Sequence, residues 1–272
     1  MEGGPPLSRI AGHPTHVVRM GSGVRRALFI HCSLAHSGAW MGVGAALLDK
    51  LSMTAFDRPG HGRSAPWLGG EDGKALHDLT TEIAGQLIDK RADVVGHSYG
   101  ATVALRLAME WPEHVRTLTM IEPVLFAAIR GTAEYDAARE MIYGLRSHIE
   151  RGNRMEAARI FHDATNHGMY FDDLSPERQK RMAARIDLVL EESPATFEDT
   201  AGLLEPGRLE KIRQPVLLLE SSNPPVGVRA VHEALAARIA HLQRVVVVGA
   251  GHMSPITHPE NVAGEIAAFL KV

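Results

Sequence analysis

One cysteine, Cys32, stands in 272 residues, so no disulfide can form within the chain. A charged-then-apolar leader is also missing, as is any run of about 18 apolar residues. A cytoplasmic location is therefore expected, with no membrane partner. The formal net charge is -3, which leaves no basic surface for nucleic acid. The 15 histidines are scattered and show neither His-Glu-x-x-His nor paired Cys-His spacing, so no metal site is expected. Internal repeats and low-complexity segments are absent too. What remains is a chain 45% hydrophobic and 22% charged, long enough for one large α/β domain with an insertion and a well-buried core. Its expected partner is a small molecule, and a homodimer is left open.

The residues around which the chain is organised are Val94-Val95-Gly96-His97-Ser98-Tyr99-Gly100. An apolar run ends in a glycine-framed serine, and a helical pattern begins at once. Strand, sharp turn and helix follow in that order, and the two glycines let strand and helix pass close together. Before this turn, His16–Met20 and Ala27–Ile30 read as strands separated by Gly21-Ser22-Gly23. Residues Met1–Pro14, rich in Gly and Pro, read as a loose arm or a short edge strand. A polar loop over His31–Trp40 leads to a helix expected across Trp40–Leu51, then a strand over Met53–Phe56. The Asp57-Arg58-Pro59-Gly60-His61-Gly62-Arg63-Ser64 run demands a tightly shaped loop, and a helix is expected over Lys74–Asp89.

Beyond the serine, Leu118–Ile121 is a buried strand with Glu122 at its carboxyl end. From Phe126 to Glu205 only helices are legible, with apolar residues at helical spacing and a helix start at Ser175-Pro176. Strands resume at Pro215–Leu219 and Val245–Val248, and helices cover Val231–Ile239 and Pro259–Leu270.

Four segments together, the His31 loop, the Asp57–Ser64 loop, Gly96–Gly100 and Gly251-His252, resemble the α/β-hydrolase superfamily over nearly the whole chain. The resemblance implies a mostly parallel twisted sheet of about eight strands, flanked by helices, with the site at the carboxyl ends of the strands. It also implies an α/β core over residues 1–125 and 206–272 and an all-helical cap over 126–205. The competing reading of 126–205 is further helices packed on the sheet.

A serine hydroxyl needs a base, and His252, in a glycine-rich loop just past the last strand, is the candidate. In most relatives an aspartate follows the strand equivalent to Pro215–Leu219, but here Asn223 stands near that place. Some members take the acid from the strand after the nucleophile, which selects Glu122, with Glu220 as the runner-up. Tyr99 N–H is expected to hold the oxyanion, and Ser33 N–H, from the loop after the second strand, is expected to join it. Cys32 replaces the glycine that usually follows the loop histidine. Cys32, His31, Met141 and Met253 are expected at the substrate pocket, and Met155, Met169 and Met182 suggest an apolar cover.

The implied activity is a cofactor-free serine hydrolase of the carboxylesterase type. It would cleave a small carboxylic ester, lactone, thioester or amide through an acyl-enzyme. Carbon-carbon bond hydrolases and perhydrolases use the same three residues, and a weakly catalytic ligand-binding protein of this fold is the alternative from another class.

Overall fold

The computed structural model describes residues 7–69, 74–165 and 170–272. Strands β1 (Ser8–Ile10) and β2 (His13–Thr15) form an antiparallel hairpin of their own. Its two-residue turn places both Ala11 (φ 48) and Gly12 (φ 75) in the left-handed region, the geometry that matches the twist of paired strands. The amino-terminal stretch is thus a small ribbon rather than a loose arm, with Met1–Pro6 outside the described residues.

Among the described residues the main sheet has seven strands: β3 (Val17–Met20), β4 (Arg25–Ile30), β5 (Leu51–Phe56), β6 (Ala92–His97), β7 (Val115–Ile121), β8 (Val216–Asn223) and β9 (Leu242–Gly251). They lie in the order β3-β5-β4-β6-β7-β8-β9. All neighbours are parallel except β3, which runs antiparallel to β5 along the edge. The sheet alternates strictly between two cores. Leu28, Ile30, Val94, Leu118, Met120 and Leu218 face one side, while Phe29, Val95, Ile121, Leu217 and Leu219 face the other. Burial on both faces is why these strands read as unbroken apolar runs.

The chain's helices in order are α1 (Met41–Ala45), α2 (Lys74–Leu87), α3 (Tyr99–Glu110), α4 (Ala133–Glu150), α5 (Arg154–Thr165), α6 (Pro176–Arg185), α7 (Asp187–Phe197), α8 (Val228–Ala236), α9 (Ser254–Thr257) and α10 (Pro259–Leu270). Helices α4 to α7 all fall between β7 and β8. The Ser175 hydroxyl caps α6 by accepting from Arg178 N–H, with Pro176 in its first turn. The helix expected over Trp40–Leu51 is instead a 3-10 turn at Ser37–Trp40 followed by the single-turn α1. Gly42 and Gly44 weaken the helix there, and Leu51 is taken into β5 opposite Arg25.

The central strand β6 is locked to its neighbours by Asp93, which is 1% exposed. Its carboxylate accepts from Arg25 Nε (2.6 Å) and Nη2 (2.9 Å) on β4, and from Arg116 Nη1 (2.9 Å) and Thr117 Oγ1 (2.8 Å) on β7. Asp93→Ala strands two guanidinium groups that can still reach water, so the expected loss is about 2–3 kcal/mol, below that of a fully buried pair. Urea unfolding measures it. An unchanged midpoint at constant m-value would show that the cluster holds nothing together.

Candidate active site

Where β6 ends, the chain turns through Ser98 at φ 56, ψ -119 and enters α3. A non-glycine residue at positive φ is strained, and here the surroundings enforce it. A Cβ on Gly96 would stand 2.2 Å from Gly100 O, and one on Gly100 would stand 2.3 Å from Ile30 O. Strand β6, helix α3 and strand β4 therefore meet at backbone contact. Ser98 N–H donates to Ile121 O (2.9 Å), fixing the turn against β7.

The structure brings Ser98, His252 and Glu122 into one row. Ser98 Oγ–H donates to His252 Nε2 at 3.0 Å, and His252 Nδ1–H donates to Glu122 Oε2 at 3.3 Å. His252 arrives from the loop after β9, and His97 Nε2–H holds its carbonyl at 2.8 Å. Burial pushes the His97 ring down to about 3, with His252 adding to the effect, so it remains a neutral donor. Glu122 sits just past β7 at φ 49, fully buried, and its Oε1 accepts Ser221 N–H at 2.6 Å. Burial alone would raise its carboxyl. The hydrogen bond and charge of His252, the field of His232 and the Ser221 amide outweigh that and hold it below the ordinary carboxylate range.

The runner-up acid lies elsewhere. Glu220 is inside β8 and pairs with Arg244 (2.6 Å) and His232 (3.2 Å), while Asn223, an amide near the place of the usual aspartate, is exposed at the strand's end. Among the described residues the carboxylate hydrogen-bonded to His252 is Glu122.

Ser33 and Tyr99 both border the cleft beside Ser98. Tyr99 opens α3, so its N–H is one of the helix's unpaired first-turn donors. The loop carrying Ser33 turns at Leu34 (φ 56). Its shape is set by a group the sequence reading missed: Glu192 of α7, buried, accepts from the Ser33 hydroxyl and lies 2.7 Å from Arg58 Nη2. Arg58, wholly buried, also donates to Cys32 O (3.1 Å) and stacks 4.6 Å over the Tyr99 ring. The one available signal was spacing. Glu192 lies three and four residues after Val189 and Leu188, a carboxylate on the apolar stripe of its helix.

His31, expected at the pocket, is a structural bolt outside the cleft lining. Its Nδ1–H donates to Cys32 O (2.7 Å) and its Nε2 accepts Arg58 N–H (2.9 Å), which ties two site loops together. Asp57 shapes its own loop by accepting from Ser37 N–H (2.7 Å) and Arg63 N–H (2.8 Å).

The cleft over the row holds about 1300 Å³. Cys32, Met141, Met182 and Met253 line it, together with Phe126 and Val189, whereas Met155 is exposed elsewhere and Met169 lies outside the described residues. Arg178, Arg181 and Arg185 turn one stripe of α6 to the cleft, and Arg63 faces it from the core. Among the described residues, no cluster of three or more His, Cys, Asp and Glu side chains is placed to hold a metal ion, and no helix is long and apolar enough to cross a membrane.

The fold agrees with comparison to known proteins. The model of the alpha/beta hydrolase family matches residues 27–265, and the chain belongs to that family. It is 24% identical over 255 residues to a pimeloyl-[acyl-carrier protein] methyl ester esterase of Nitrosomonas europaea, covering 90% of this chain and 95% of that protein. A shorter match, 32% identical over 117 residues, is to the dihydrolipoyllysine-residue acetyltransferase component of the acetoin cleaving system of Cupriavidus necator. That match spans 43% of this chain and only 31% of the relative's length. Among solved structures, a hydrolase from Pseudomonas aeruginosa has the same fold, with TM-score 0.77, 20% identity and 98% of each chain covered. The protein is thus an α/β hydrolase with esterase-like relatives.

Burial, only partly offset by Arg58, pushes the Cys32 thiol up to about 12, so it carries almost no thiolate at neutral pH. Iodoacetamide at about pH 8 should leave the native intact mass unchanged and add one carbamidomethyl group only after unfolding. Rapid labelling of the native protein would show an accessible, reactive thiolate and overturn this reading of Cys32.

Proposed function

We propose that the protein is a serine esterase cleaving small, partly apolar carboxylic esters through an acyl-enzyme. The row Ser98–His252–Glu122 carries this reading. Ser98 Oγ attacks the ester carbonyl while His252 Nε2 takes its proton, and the imidazolium so formed is stabilised by the Glu122 carboxylate. Tyr99 N–H and Ser33 N–H receive the oxyanion. His252 then gives its proton to the departing alkoxide, leaving the acyl group on Ser98. Water, deprotonated by His252, attacks that acyl carbon, and the bond to Ser98 Oγ breaks as the serine recovers the proton. Residues 126–205 act as a cap in this reading, supported by Met141 of α4, Phe161 of α5, Met182 of α6 and Val189 of α7, which line the cleft.

Incubation with a small fluorophosphonate, followed by intact and peptide mass, tests the nucleophile. One adduct on Ser98, none on Ser98→Ala, is expected. A folded protein that takes no adduct would remove the hydrolase mechanism. Glu122→Gln should lower kcat/KM for a 4-nitrophenyl ester by roughly 10²–10⁴-fold, because an amide cannot stabilise the imidazolium. Unchanged turnover would eliminate Glu122 as the acid.

The charge of the cleft extends the reading to the substrate. Among the described residues its only two carboxylates, Asp57 and Glu192, are occupied internally, while Arg63, Arg178, Arg181 and Arg185 face it. That pattern fits an ester with an anionic distal end. The mono-4-nitrophenyl ester of suberic acid should be preferred to 4-nitrophenyl octanoate, and the preference should shrink at high salt and in Arg178→Gln/Arg181→Gln. Equal kcat/KM for the two esters in the unmodified protein would refute the anionic preference and leave the esterase reading intact.

A further inference from the structure

Behind Glu122 lies a second row of ionisable side chains that the reaction above does not use. His232 of α8 is wholly buried, with Nδ1 3.2 Å from Glu220 Oε2 and Nε2 3.9 Å from Glu122 Oε1. An ionised carboxylate can only accept, so Nδ1 carries a hydrogen and donates it to Glu220. Among the described residues Nε2 has no hydrogen-bond partner, and it is turned toward Glu122. On its other side Glu220 is gripped by Arg244 of β9 through Nε (2.6 Å) and Nη2 (2.9 Å). These contacts hold the Glu220 carboxyl down to about 2 although burial alone would raise it. Arg244, Glu220, His232, Glu122, His252 and Ser98 thus form one series from the sheet's far edge to the reacting hydroxyl.

Fold stability gives a poor account of this series. Apolar side chains of similar volume usually replace buried ionic groups without loss, and often with gain. A polar chain that ends on Glu122 is better explained by what it does to Glu122. We infer that His232, set between two carboxylates, carries a hydrogen on Nε2 as well as on Nδ1 and is a positioning residue, held by Glu220 and Arg244, that orients the Glu122 carboxylate toward His252. This inference rests on Glu122 being the acid partner in the proposed reaction.

The groups facing Glu122 are His252 from the loop after β9, His97 from β6, His232 from α8 and the Ser221 amide of β8, with Glu220 and Arg244 behind His232. Removing His232 takes away a favourable partner of the anion. The Glu122–His252 pair then binds a proton more readily, so the acid limb of the pH profile moves to higher pH.

The test is a double-mutant cycle with kcat and KM for a neutral 4-nitrophenyl ester measured across pH. His232→Leu should lower kcat about 10-fold or more with KM within about two-fold, and move the acid limb up by roughly half a pH unit or more. In a Glu122→Gln background the same change should cost under about two-fold, because its target is gone. His232→Gln, which keeps a donor, should recover part of the loss. Arg244→Met, at the exposed end of the row, should shift the limb in the same direction by less, and decides the matter if the leucine variant does not fold. An unmoved pH limb in these variants, or equal losses with and without Glu122, would overturn the inference. A Glu122→Gln protein as active as the parent would sink the acid assignment itself, whereas a crippled Glu122→Gln beside an unaffected His232→Leu would sink only the role of His232.

Discussion

The close approach of α3 to β6 and β4 is the constraint on which the rest of the site depends. Gly96 and Gly100 have no room for a Cβ, and it is this close approach of backbone to backbone that lets Ser98 turn from strand to helix in one residue. The turn does three things together. It brings the Ser98 hydroxyl within 3.0 Å of His252 Nε2, starts α3 at Tyr99, and anchors Ser98 N–H on β7. Geometry that would otherwise need several loops is thereby fixed by one contact between three pieces of backbone.

Among the described residues, three of the six non-glycine residues at positive φ lie at the carboxyl edge of the sheet. Leu34, Ser98 and Glu122, all at positive φ, follow β4, β6 and β7 in turn. Each such residue costs on the order of 1–3 kcal/mol and persists only where its surroundings leave no alternative. The surroundings here are strands packed on both faces and cross-linked by Asp93, so the sheet behaves as the rigid member and the three turns as what it holds in place. Rigidity in the frame is what allows a serine, an imidazole and a carboxylate from three separate segments to share a line.

Legibility in the sequence followed the range of the interactions. Ser98 and the strands around it were readable because a glycine-framed turn and a two-sided apolar run are local patterns. Glu122 could be named only through the family resemblance, which points to the end of the strand after the serine, because its contact with His252 spans much of the chain. The length of α1 was misjudged because the apolar residues from Trp40 to Leu51 follow a helical spacing, whereas Gly42, Gly44 and the pairing of Leu51 in β5 decide the outcome. Glu192, the buried partner of Arg58, stayed hidden for a different reason. A buried ion pair between a helix and a distant loop leaves no periodic trace, only a charge where an apolar residue would be expected.

That pair also changes how the helical segment and the core relate. Glu192 belongs to α7, between β7 and β8, yet its carboxylate is shared by Arg58 and by the hydroxyl of Ser33. Arg58 in turn holds the Cys32 carbonyl and covers Tyr99. Moving α7 away would therefore leave a wholly buried guanidinium without its counter-ion, a far greater penalty than separating apolar surfaces of the same size. The same movement would release the loop on which Ser33 sits. Helix α7 is thus tied to the core loops by a buried ion pair, and α6 reaches them through the Arg185 Nη2 hydrogen bond to Gly62 O (3.0 Å).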